Sequence, residues 1–329
     1  MKKLTLSLTA LLTTFFMYSQ ARVQVIHNSA DAAATQVDVY LDDTLTLDDF
    51  AFRTATPFID FPADVEVVIG IAPANSTSSS DVIASFPVTL ADGETYVVVA
   101  DGIVSPTGYN PPQPFGLQVY ALGREAATVG TNTDVLVHHG STDAPTVDVV
   151  ETGVGAGLIV DDISYTEFQG YLELPTADYV LQINAGGAGV AAFSAPLGTL
   201  GLDGQALVVV ASGFLDPSQN SNGPAFGLWV ALASGGDLVE LPAAALGTTE
   251  FLNEQIALFP NPVQDMLTVS GLEQNNYTYS VVDMLGRTIL KLTADQGDTL
   301  NVANLNTGIY NLVISEGTTI LGSKRFIKN

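Results

Sequence analysis

The stretch VIHNSADA at residues 25–32 returns with the same framework as VHHGSTDA at residues 137–144. In each place a hydrophobic-Asp-hydrophobic triplet follows shortly, at residues 37–39 and then at residues 147–149. The two copies stay in step for about a hundred residues, and the run VVVA recurs near the end of each one. Agreement at so many spaced points is not chance, so the sequence predicts a tandem repeat.

Composition places the chain among folded β-proteins. Of its 329 residues 47% are hydrophobic and only 14% are charged, which excludes a disordered chain. Short runs of Val, Ile, Leu and Tyr alternate with clusters of Gly, Pro, Asp and Asn, a pattern typical of strands and turns. Roughly seven or eight such runs in each copy match the spacing of a β-sandwich. The expected fold class is all-β, with two tandem Ig-like β-sandwich modules followed by a smaller C-terminal β-sandwich.

Charge and cysteine content exclude several kinds of function. The formal net charge is -25, and residues 23–247 hold 27 Asp and Glu against only Arg53 and Arg124. Such a surface repels phosphates, so nucleic acid is not an expected partner. The ordinary interpretation of the acidity is solubility, and divalent cations or a basic partner surface are the alternatives. The absence of cysteine excludes disulfides, thiolate catalysis and cysteine metal sites.

The order of segments along the chain predicts export followed by three folded units. A basic start, an apolar core and a Ser-Gln-Ala cleavage site indicate a signal peptide. Its core is too short to span a membrane, so no transmembrane segment is expected. Each copy has its own set of strands, and we expect the two to fold as separate modules. The predicted boundaries are 1–21 for the signal peptide, 22–130 for repeat one, 131–247 for repeat two, 248–256 for a linker and 257–329 for a C-terminal unit.

The repeat signature resembles the domain-of-unknown-function family 4397. Its members open with a strand that ends in His, then a Ser-x-Asp-Ala turn and a Val-Asp-Val strand. The resemblance implies a secreted bacterial β-sandwich domain to which no activity is assigned. The matching positions here are His27, residues 29–32 and residues 37–39 in the first copy, and His139, residues 141–144 and residues 147–149 in the second.

The C-terminal unit resembles the type A sorting domain of the type IX secretion system. Four motifs carry the resemblance in order: LFPNP at 258–262, VDMLGR at 282–287, LNTGIYNL at 305–312 and KRFIK at 324–328. The resemblance implies a Bacteroidota-type outer membrane, translocation by the type IX machinery, and removal of the tail by a surface sortase. The motif residues that it singles out are Pro260, Asn261, Pro262, Gly286, Arg287, Gly308, Tyr310 and Lys324.

Two histidines at equivalent positions are the first candidates for chemistry. His27 and His139 each lie four residues before an Asp, and an imidazole near a carboxylate could be a base or a metal ligand. One histidine per copy falls short of a usual zinc site, and no G-x-S-x-G elbow accompanies Ser29 or Ser141. We expect the histidine to cap its strand, and the Ser and Asp side chains to bond turn amides. No catalytic residue and no cofactor are predicted.

Acidic pairs and a glycine-rich turn are the other candidates. Asp48 with Asp49, and Asp161 with Asp162, could ligate calcium, although neither spacing is that of an EF-hand. Adjacent strand residues point opposite ways, so only a turn would bring both carboxylates to one ion. The glycine-rich residues 153–157 precede no readable helix, and we interpret them as a flexible hairpin rather than a phosphate cradle.

Recognition is expected at a long loop before the last strand of each copy. The loops cover residues 105–114 and 216–224, and prolines limit the freedom of both. Only the first contains an aromatic residue, Tyr109 beside Asn110, where a flat ring could stack on a sugar or an apolar partner. The alternative is that Tyr109 folds back onto the edge of its own module.

These patterns predict a non-catalytic binding or adhesion protein, not an enzyme. Its place would be the extracellular space or the outer-membrane surface of a Bacteroidota-type Gram-negative bacterium, and its partner an unidentified extracellular or surface polymer. The alternatives are a structural component of the envelope or matrix, and a surface hydrolase. Clustered His, Asp and Ser side chains around one cleft would favour the hydrolase.

Overall fold

The computed structural model describes residues 19–244, 256–271, 277–283, 287–294, 299–316 and 319–329. These residues form β-strands with three single-turn 3₁₀ helices, so the all-β fold class is confirmed. No helix within these ranges is long and apolar enough to cross a membrane. Residues 1–18 of the expected signal peptide, residues 245–247 of the expected repeat two and residues 248–255 of the expected linker lie outside the description.

Repeat one folds into two sheets. The outer sheet has the order β3-β2-β6-β7, while in the inner sheet β1 lies between β8, which is parallel to it, and β4 and β5, which are antiparallel. Strand β9 forms the edge beyond β8. The strands are β1 Gln20–His27, β2 Gln36–Leu41, β3 Thr44–Ala51, β4 Thr54–Ala55, β5 Ile59–Pro62, β6 Glu66–Pro73, β7 Ala84–Thr89, β8 Thr95–Asp101 and β9 Gly116–Ala121.

Repeat two follows the same plan. Its inner sheet has the order β13-β10-β16-β17-β19, with β10 and β16 parallel as β1 and β8 are, and its outer sheet has the order β12-β11-β14-β15. The strands are β10 Asn132–His139, β11 Val147–Glu151, β12 Gly157–Ile163, β13 Phe168–Pro175, β14 Asp178–Ala185, β15 Ala188–Pro196, β16 Ala206–Ser212, β17 Gly227–Leu232, β18 Gly236–Asp237 and β19 Val239–Glu240.

Backbone geometry repeats along with strand order. Gly102 and Gly213 both have a left-handed φ, 89° and 85°, and in both a Cβ would lie 2.3 Å from a carbonyl oxygen of the following loop. Only glycine fits that approach. Asp49 and Asp162 likewise share a left-handed φ, of 53° and 49°. The tandem repeat read from the sequence is therefore a repeat of structure.

The two inner sheets pack face to face and share one core. Side chains from both repeats form it, among them Ile26, Val97 and Val99 from the first and Leu136, Val208 and Val210 from the second. The layers run outer, inner, inner, outer, and β18 of repeat two pairs with β4 of repeat one. The two repeats therefore pack against each other, while each also has a core between its own two sheets. The inner sheets are covered on both faces, so their central strands are apolar without alternation.

Equivalent positions of the two repeats meet across this interface. The Tyr120 ring lies 5.3 Å from Phe168 and 5.9 Å from Tyr171. The residues at the equivalent positions of the opposite repeats belong to the same core; they are Ala231, Ala55 and Phe58. Asn28 and Gly140 are themselves equivalent, and the Asn28 amide donates to the Gly140 carbonyl at 3.4 Å. Such reciprocal contacts are those of a two-fold pair.

All three basic side chains of residues 19–244 are engaged within the protein. Arg22 pairs with two exposed carboxylates, a kind of pair that adds little stability. Arg124 bonds Asp134 at 2.6 Å and Glu173 at 2.8 Å, and Asp134 is fully buried. Because Arg124 lies in the segment between the repeats, these bonds fasten that segment to repeat two.

Arg53 joins the repeats through hydrogen bonds to the Ser212 hydroxyl and the Ala225 carbonyl and through an aromatic ring. Its guanidinium lies 4.0 Å above the Trp229 ring and donates to the Ser212 hydroxyl at 3.0 Å. Burial lowers the pKa of Arg53 to about 10, which leaves the group charged at neutral pH. A cation held against an aromatic face contributes about 0.5–2 kcal/mol.

The C-terminal unit is a third, smaller sandwich, as expected. Its sheets have the orders β20-β21-β24 and β23-β22-β25-β26, with Leu267, Tyr279, Leu312 and Phe326 in the core between them. The strands are β20 Ala257–Phe259, β21 Met266–Ser270, β22 Tyr277–Val282, β23 Thr288–Ala294, β24 Thr299–Asn301, β25 Gly308–Glu316 and β26 Thr319–Lys328.

A methyl group at position 140 should loosen the contact between repeats. A Cβ there would lie 2.1 Å from the Asn28 amide nitrogen and 2.7 Å from an Asp101 carboxylate oxygen. We expect Gly140→Ala to lower the free energy of unfolding by about 1–3 kcal/mol, as overpacking does. Urea unfolding measures this.

Two further variants control the experiment. Gly130→Ala adds the same methyl where no atom lies within 4 Å, and should change stability by less than about 1 kcal/mol. Asn28→Gly in the Gly140→Ala background should recover part of the loss. Unchanged stability in Gly140→Ala would contradict the described interface.

Candidate functional site

The Ser-x-Asp turn of repeat one fastens the long loop that follows β8. Asp31 accepts hydrogen bonds from the backbone N–H groups of Val104 at 2.7 Å and Ser105 at 2.6 Å. It also accepts from the Ala33 N–H at 2.9 Å, so the expected bond to a turn amide is confirmed. The Ser29 hydroxyl donates to the Gly102 carbonyl at 2.6 Å. One turn thus fixes where the long loop begins.

The same turn in repeat two does the same work. Asp143 accepts from the backbone N–H groups of Leu215 and Asp216, both at 2.8 Å. The Ser141 hydroxyl donates to the Gly213 carbonyl at 2.7 Å. The signature shared by both copies is therefore a loop anchor, built from groups that are buried or nearly so.

Opposing effects act on the Asp31 carboxyl. Burial alone would raise its pKa, but hydrogen bonds from Ser105, Ala33 and Tyr109 outweigh burial and hold the pKa of Asp31 below its ordinary value. The carboxylate therefore stays ionised through the neutral and mildly acidic range. Its anchoring bonds are charge-assisted, which makes them stronger than bonds between neutral groups.

Both repeat histidines are interior strand caps, as expected. The Nε2–H of His27 donates to the Ala34 carbonyl at 2.7 Å, and that of His139 to the Pro145 carbonyl at 3.1 Å. Burial lowers the pKa of His27 to about 4 and also lowers the pKa of His139. Both rings are therefore neutral at physiological pH.

Tyr109 lies between the repeats and is not an exposed platform. Only 8% of it is accessible, its ring centroid lies 5.6 Å from that of Phe214, and its hydroxyl donates to Asp31 at 2.9 Å. The sequence suggested that the Tyr109 ring could stack on a ligand. The structure corrects this expectation, because the ring packs against Phe214 and the hydroxyl bonds Asp31. The Tyr109 ring supports its loop from beneath.

The two long loops are joined into one surface. The Asn110 N–H donates to the Asn220 side-chain oxygen at 2.9 Å, and the Ser221 hydroxyl donates to the Gly108 carbonyl at 2.9 Å. We call the exposed residues of these loops the loop-end surface. They are Pro106, Thr107, Gly108, Asn110, Pro112, Pro114, Asp216, Ser218, Gln219, Ser221 and Asn222, together with Leu215, which directly precedes the second loop.

Sequence reasoning placed recognition in these loops but treated them as separate. Nothing local in either loop reveals that the other lies beside it, because the contact depends on the packing of the inner sheets. In a strongly acidic protein this surface contains one charged residue, Asp216, and one exposed aliphatic side chain, Leu215, which is 55% accessible. It is a largely neutral, polar surface.

A buried pair, His138 and Asp101, joins the repeats, and the sequence patterns did not predict it. The Nε2–H of His138 donates to Asp101 at 2.5 Å, and the Asn28 amide donates to the other carboxylate oxygen at 2.7 Å. The His138 and Asp101 side chains are both fully inaccessible. The available signal was that HH stands at 138–139 where the first copy has Ile-His. The pair holds the interface and faces no open cleft.

The acidic pairs each gain a third carboxylate. The Asp38 carboxylate accepts from the Asp49 N–H at 3.0 Å and from the Ser76 hydroxyl at 2.5 Å. In repeat two, Asp148 accepts from the Asp162 N–H at 2.9 Å. These bonds hold the left-handed residue of each strand bulge, although the oxygen set is of a kind that hard cations take. The groups are Asp38, Asp48 and Asp49, and Asp148, Asp161 and Asp162, with ligand oxygens within 4.8 Å of one another.

The glycine-rich turn of repeat two is organised by its own carboxylate. Glu151 is 2% accessible and accepts from the N–H groups of Gly153, Val154 and Ala156. The turn is therefore held by hydrogen bonds, where the sequence indicated a flexible hairpin. Its amides bind Glu151, which agrees with the expectation that the turn is no phosphate cradle.

The Pro-Asn-Pro motif ties the start of the C-terminal sandwich to its last strand. The Asn261 side-chain oxygen accepts from the Ile327 N–H at 2.9 Å, and its amide donates to the Arg325 carbonyl at 3.3 Å. The flanking Pro260 and Pro262 are exposed. Asn261 thus takes the place of a strand neighbour for β26.

The other motif residues also support this sandwich. Gly308 begins β25 opposite Lys328, and the Tyr310 hydroxyl donates to the Asn306 carbonyl at 3.0 Å. Arg287 bonds Asp283, and the Lys324 ammonium donates to the Ile256 carbonyl. Gly286 lies outside the described residues.

Comparisons with known protein families match two segments of the chain, the first repeat and the C-terminal unit. Residues 257–329 match the family of secretion system C-terminal sorting domains, and residues 21–113 match the domain-of-unknown-function family 4397. The second repeat lies outside that match, so only the first copy is shown to resemble the family. No match was found among curated proteins.

One solved structure shows a distant likeness. The Bacillus anthracis TIE protein aligns with 7% identity and a TM-score of 0.17, over 94% of this chain and 48% of its own. This chain thus spans about half of that protein's length, and a likeness this weak carries no argument. The match of residues 257–329 to sorting domains indicates export by the type IX secretion machinery to the cell surface or beyond.

The Asp31 anchor predicts a pH-dependent stability. Because the pKa of Asp31 is lowered in the folded state, its contribution is present above the unfolded value of about 3.9 and is lost as pH falls through the folded value. We expect Asp31→Asn to melt at a lower temperature than the wild type at pH 7. That gap should close at acidic pH. A gap that stays constant down to pH 2 would contradict the role of the charge.

Removal of the C-terminal sandwich should stop export at the outer membrane. A chain that ends at Thr249 keeps its N-terminal segment, so we expect it to cross the inner membrane and to accumulate in the periplasm. Fractionation and immunoblotting against the full-length chain measure this. Full-length levels of the shortened chain outside the cell would contradict a sorting role for residues 257–329.

Proposed function

We propose that this protein is a non-catalytic binding or adhesion protein whose loop-end surface contacts an extracellular or surface polymer. The observation that supports this most is the joining of two loops, one from each repeat, into one surface. Binding residues concentrate in loops that a rigid scaffold holds. Loops already fixed by Asp31, Asp143 and each other lose less conformational entropy when they bind.

The chemistry of the loop-end surface favours an uncharged polymer. Its side chains are amides, hydroxyls and prolines, with Leu215 as an apolar contact and Asp216 as the one charge. Amides and hydroxyls both donate and accept, which suits the hydroxyl groups of a glycan. Asn110 keeps its proposed place in recognition, whereas Tyr109 supports it from beneath.

The engaged state of the candidate catalytic groups supports a non-catalytic role. Ser29 and Ser141 are buried and donate to backbone carbonyls, so neither is poised as a nucleophile. The His138–Asp101 pair is inaccessible to any substrate, whereas a general base must reach the proton that it abstracts. A surface hydrolase would need an accessible constellation of this kind.

The C-terminal sandwich is proposed to be a removable signal. In this proposal the host has a Bacteroidota-type envelope, and a surface sortase separates residues 257–329 from the repeats. The sandwich has its own core and its own two sheets, so its loss would leave the core between the repeats complete.

Attachment of surface variants tests the proposal. We expect the pair Asn110→Ala and Leu215→Ala to reduce attachment to a glycan array and to purified envelope polymer about tenfold. The melting temperature should stay unchanged, because both side chains are exposed.

The matched control is Val190→Ala, a 52% accessible valine on β15, far from both loops in sequence, which should attach like the wild type. Undiminished attachment of the double variant would contradict recognition at the loop-end surface. Undiminished attachment with a weakened cell envelope in a deletion strain would favour the structural alternative.

A further inference from the structure

Repeat two is closed along one side by the chain that leaves it. Strand β19 pairs antiparallel with β17, so that Val239 lies opposite Val230. The Leu241 N–H then donates to the Leu228 carbonyl at 2.9 Å, and the Leu241 side chain is 3% accessible within the core of the repeat. An added strand thus pairs with the edge of the inner sheet and places a leucine between the sheets.

The same segment continues across to the outer sheet. The Ser194 N–H donates to the Pro242 carbonyl, and the Ala244 N–H donates to the Ala192 carbonyl, both at 2.8 Å. Residues 239–244 therefore bridge the gap between β17 and β15. They seal the side of the sandwich.

In repeat one the corresponding side is open. Strand β9 is the equivalent of β17 and, among the described strands, pairs only with β8. Val119 of β9 is 44% accessible, whereas its equivalent Val230 is 5% accessible under β19. Behind Val119 an apolar cavity of about 50 Å³ runs between the sheets, lined by Leu117, Val88 and other aliphatic side chains.

Strand β9 also lacks the protection that other edges of the repeats have. An exposed strand edge pairs readily with another chain unless charge, proline or a bulge prevents it. The sequence of β9 is GLQVYA, with none of these. The protected edges are β3 with Asp48 and Asp49, β7 with Pro87, β12 with Asp161 and Asp162, and β13 with Glu173.

We infer that β9 is a docking site for an extended segment of a partner protein, which adds to the inner sheet as β19 does in repeat two. Main-chain bonds to an edge strand supply affinity, and alternate side chains supply specificity. The segment needs apolar residues at every second position, so that one enters the cavity as Leu241 does. This site is separate from the loop-end surface and does not depend on the proposed function.

The acidity of the repeats and one residue difference on β7 indicate what kind of partner segment fits β9. Residues 23–247 hold 27 acidic residues, and their arginines are engaged within the protein, so a neutral or basic segment fits best. Pro87 stands on β7 where repeat two has Ser194, and proline has no N–H to donate. The segment is therefore held by β9 rather than shared with β7.

The chain provides its own probe. A fluorescent peptide with the sequence GDLVELPAA, residues 236–244, should bind the purified full-length protein at one site in an anisotropy titration. A version with Lys in place of the Glu should bind more tightly at low salt. A version with Asp in place of the second Leu, which is Leu241 of the chain, should not bind.

Two variants of the protein locate the site. Val119→Lys places a charge on the β9 edge and should raise the dissociation constant for the peptide at least about tenfold. Leu45→Lys is the matched control, since Leu45 is 43% accessible on the opposite edge of repeat one, and it should bind normally. Equal melting temperatures confirm that both variants are folded.

Hydrogen exchange gives a second measurement. Bound peptide should slow amide exchange in residues 116–121, and the loop-end variants Asn110→Ala and Leu215→Ala should not change this. Absence of saturable binding, or binding that Val119→Lys leaves intact, would overturn the inference. A dimer of the protein alone that Val119→Lys dissociates in sedimentation would also overturn it, because the occupant would then be a second copy.

Discussion

The apolar contact between the two inner sheets is the constraint on which the rest of the structure depends. A sheet covered on both faces cannot alternate polar and apolar residues, and every polar group that it carries inward needs a partner. At the interface His138 and Asn28 each donate to one oxygen of the buried Asp101 carboxylate. At its margin the Arg53 guanidinium lies over the Trp229 ring. The position of the long loops follows, because each is anchored to the end of an inner sheet.

The sequence predicted the features of the fold that depend on residues close together in the chain. The all-β class, the repeat, the strand-capping histidines and the turn bonds of Asp31 follow from spacing and side-chain type. The partners of Asp31 at Val104 and Ser105 do not, because they lie more than seventy residues away and depend on tertiary packing. The unbroken VVVA runs did indicate strands that are buried on both faces, since a strand with one solvent-exposed face alternates polar and apolar residues. The placement of Tyr109 had no such signal, because its partner Phe214 belongs to the other repeat.

The repeat signature therefore positions two loops by bonds to their backbone. Ser29, Asp31 and Ser141 are buried, Asp143 is partly buried, and all four bond the backbone of a loop, while the exposed tips of the two loops differ in sequence. A scaffold of this kind lets the tips change at little cost to folding, because the anchoring bonds are made to N–H and carbonyl groups that nearly every residue provides. The two tips can meet only because the inner sheets bring them together.

The contact between Asn28 and Gly140 has a consequence for the history of the chain. Equivalent residues that touch across a two-fold pair compete for one volume, so a side chain on one excludes a side chain on the other. Two identical copies of repeat one would bring two Asn28 side chains together and would leave Asp101 facing Ile26 instead of a histidine. The two repeats are therefore complementary and not interchangeable: a gene rearrangement that replaced one with a duplicate of the other would encode a protein that lacks the His138–Asp101 and Asn28–Gly140 contacts.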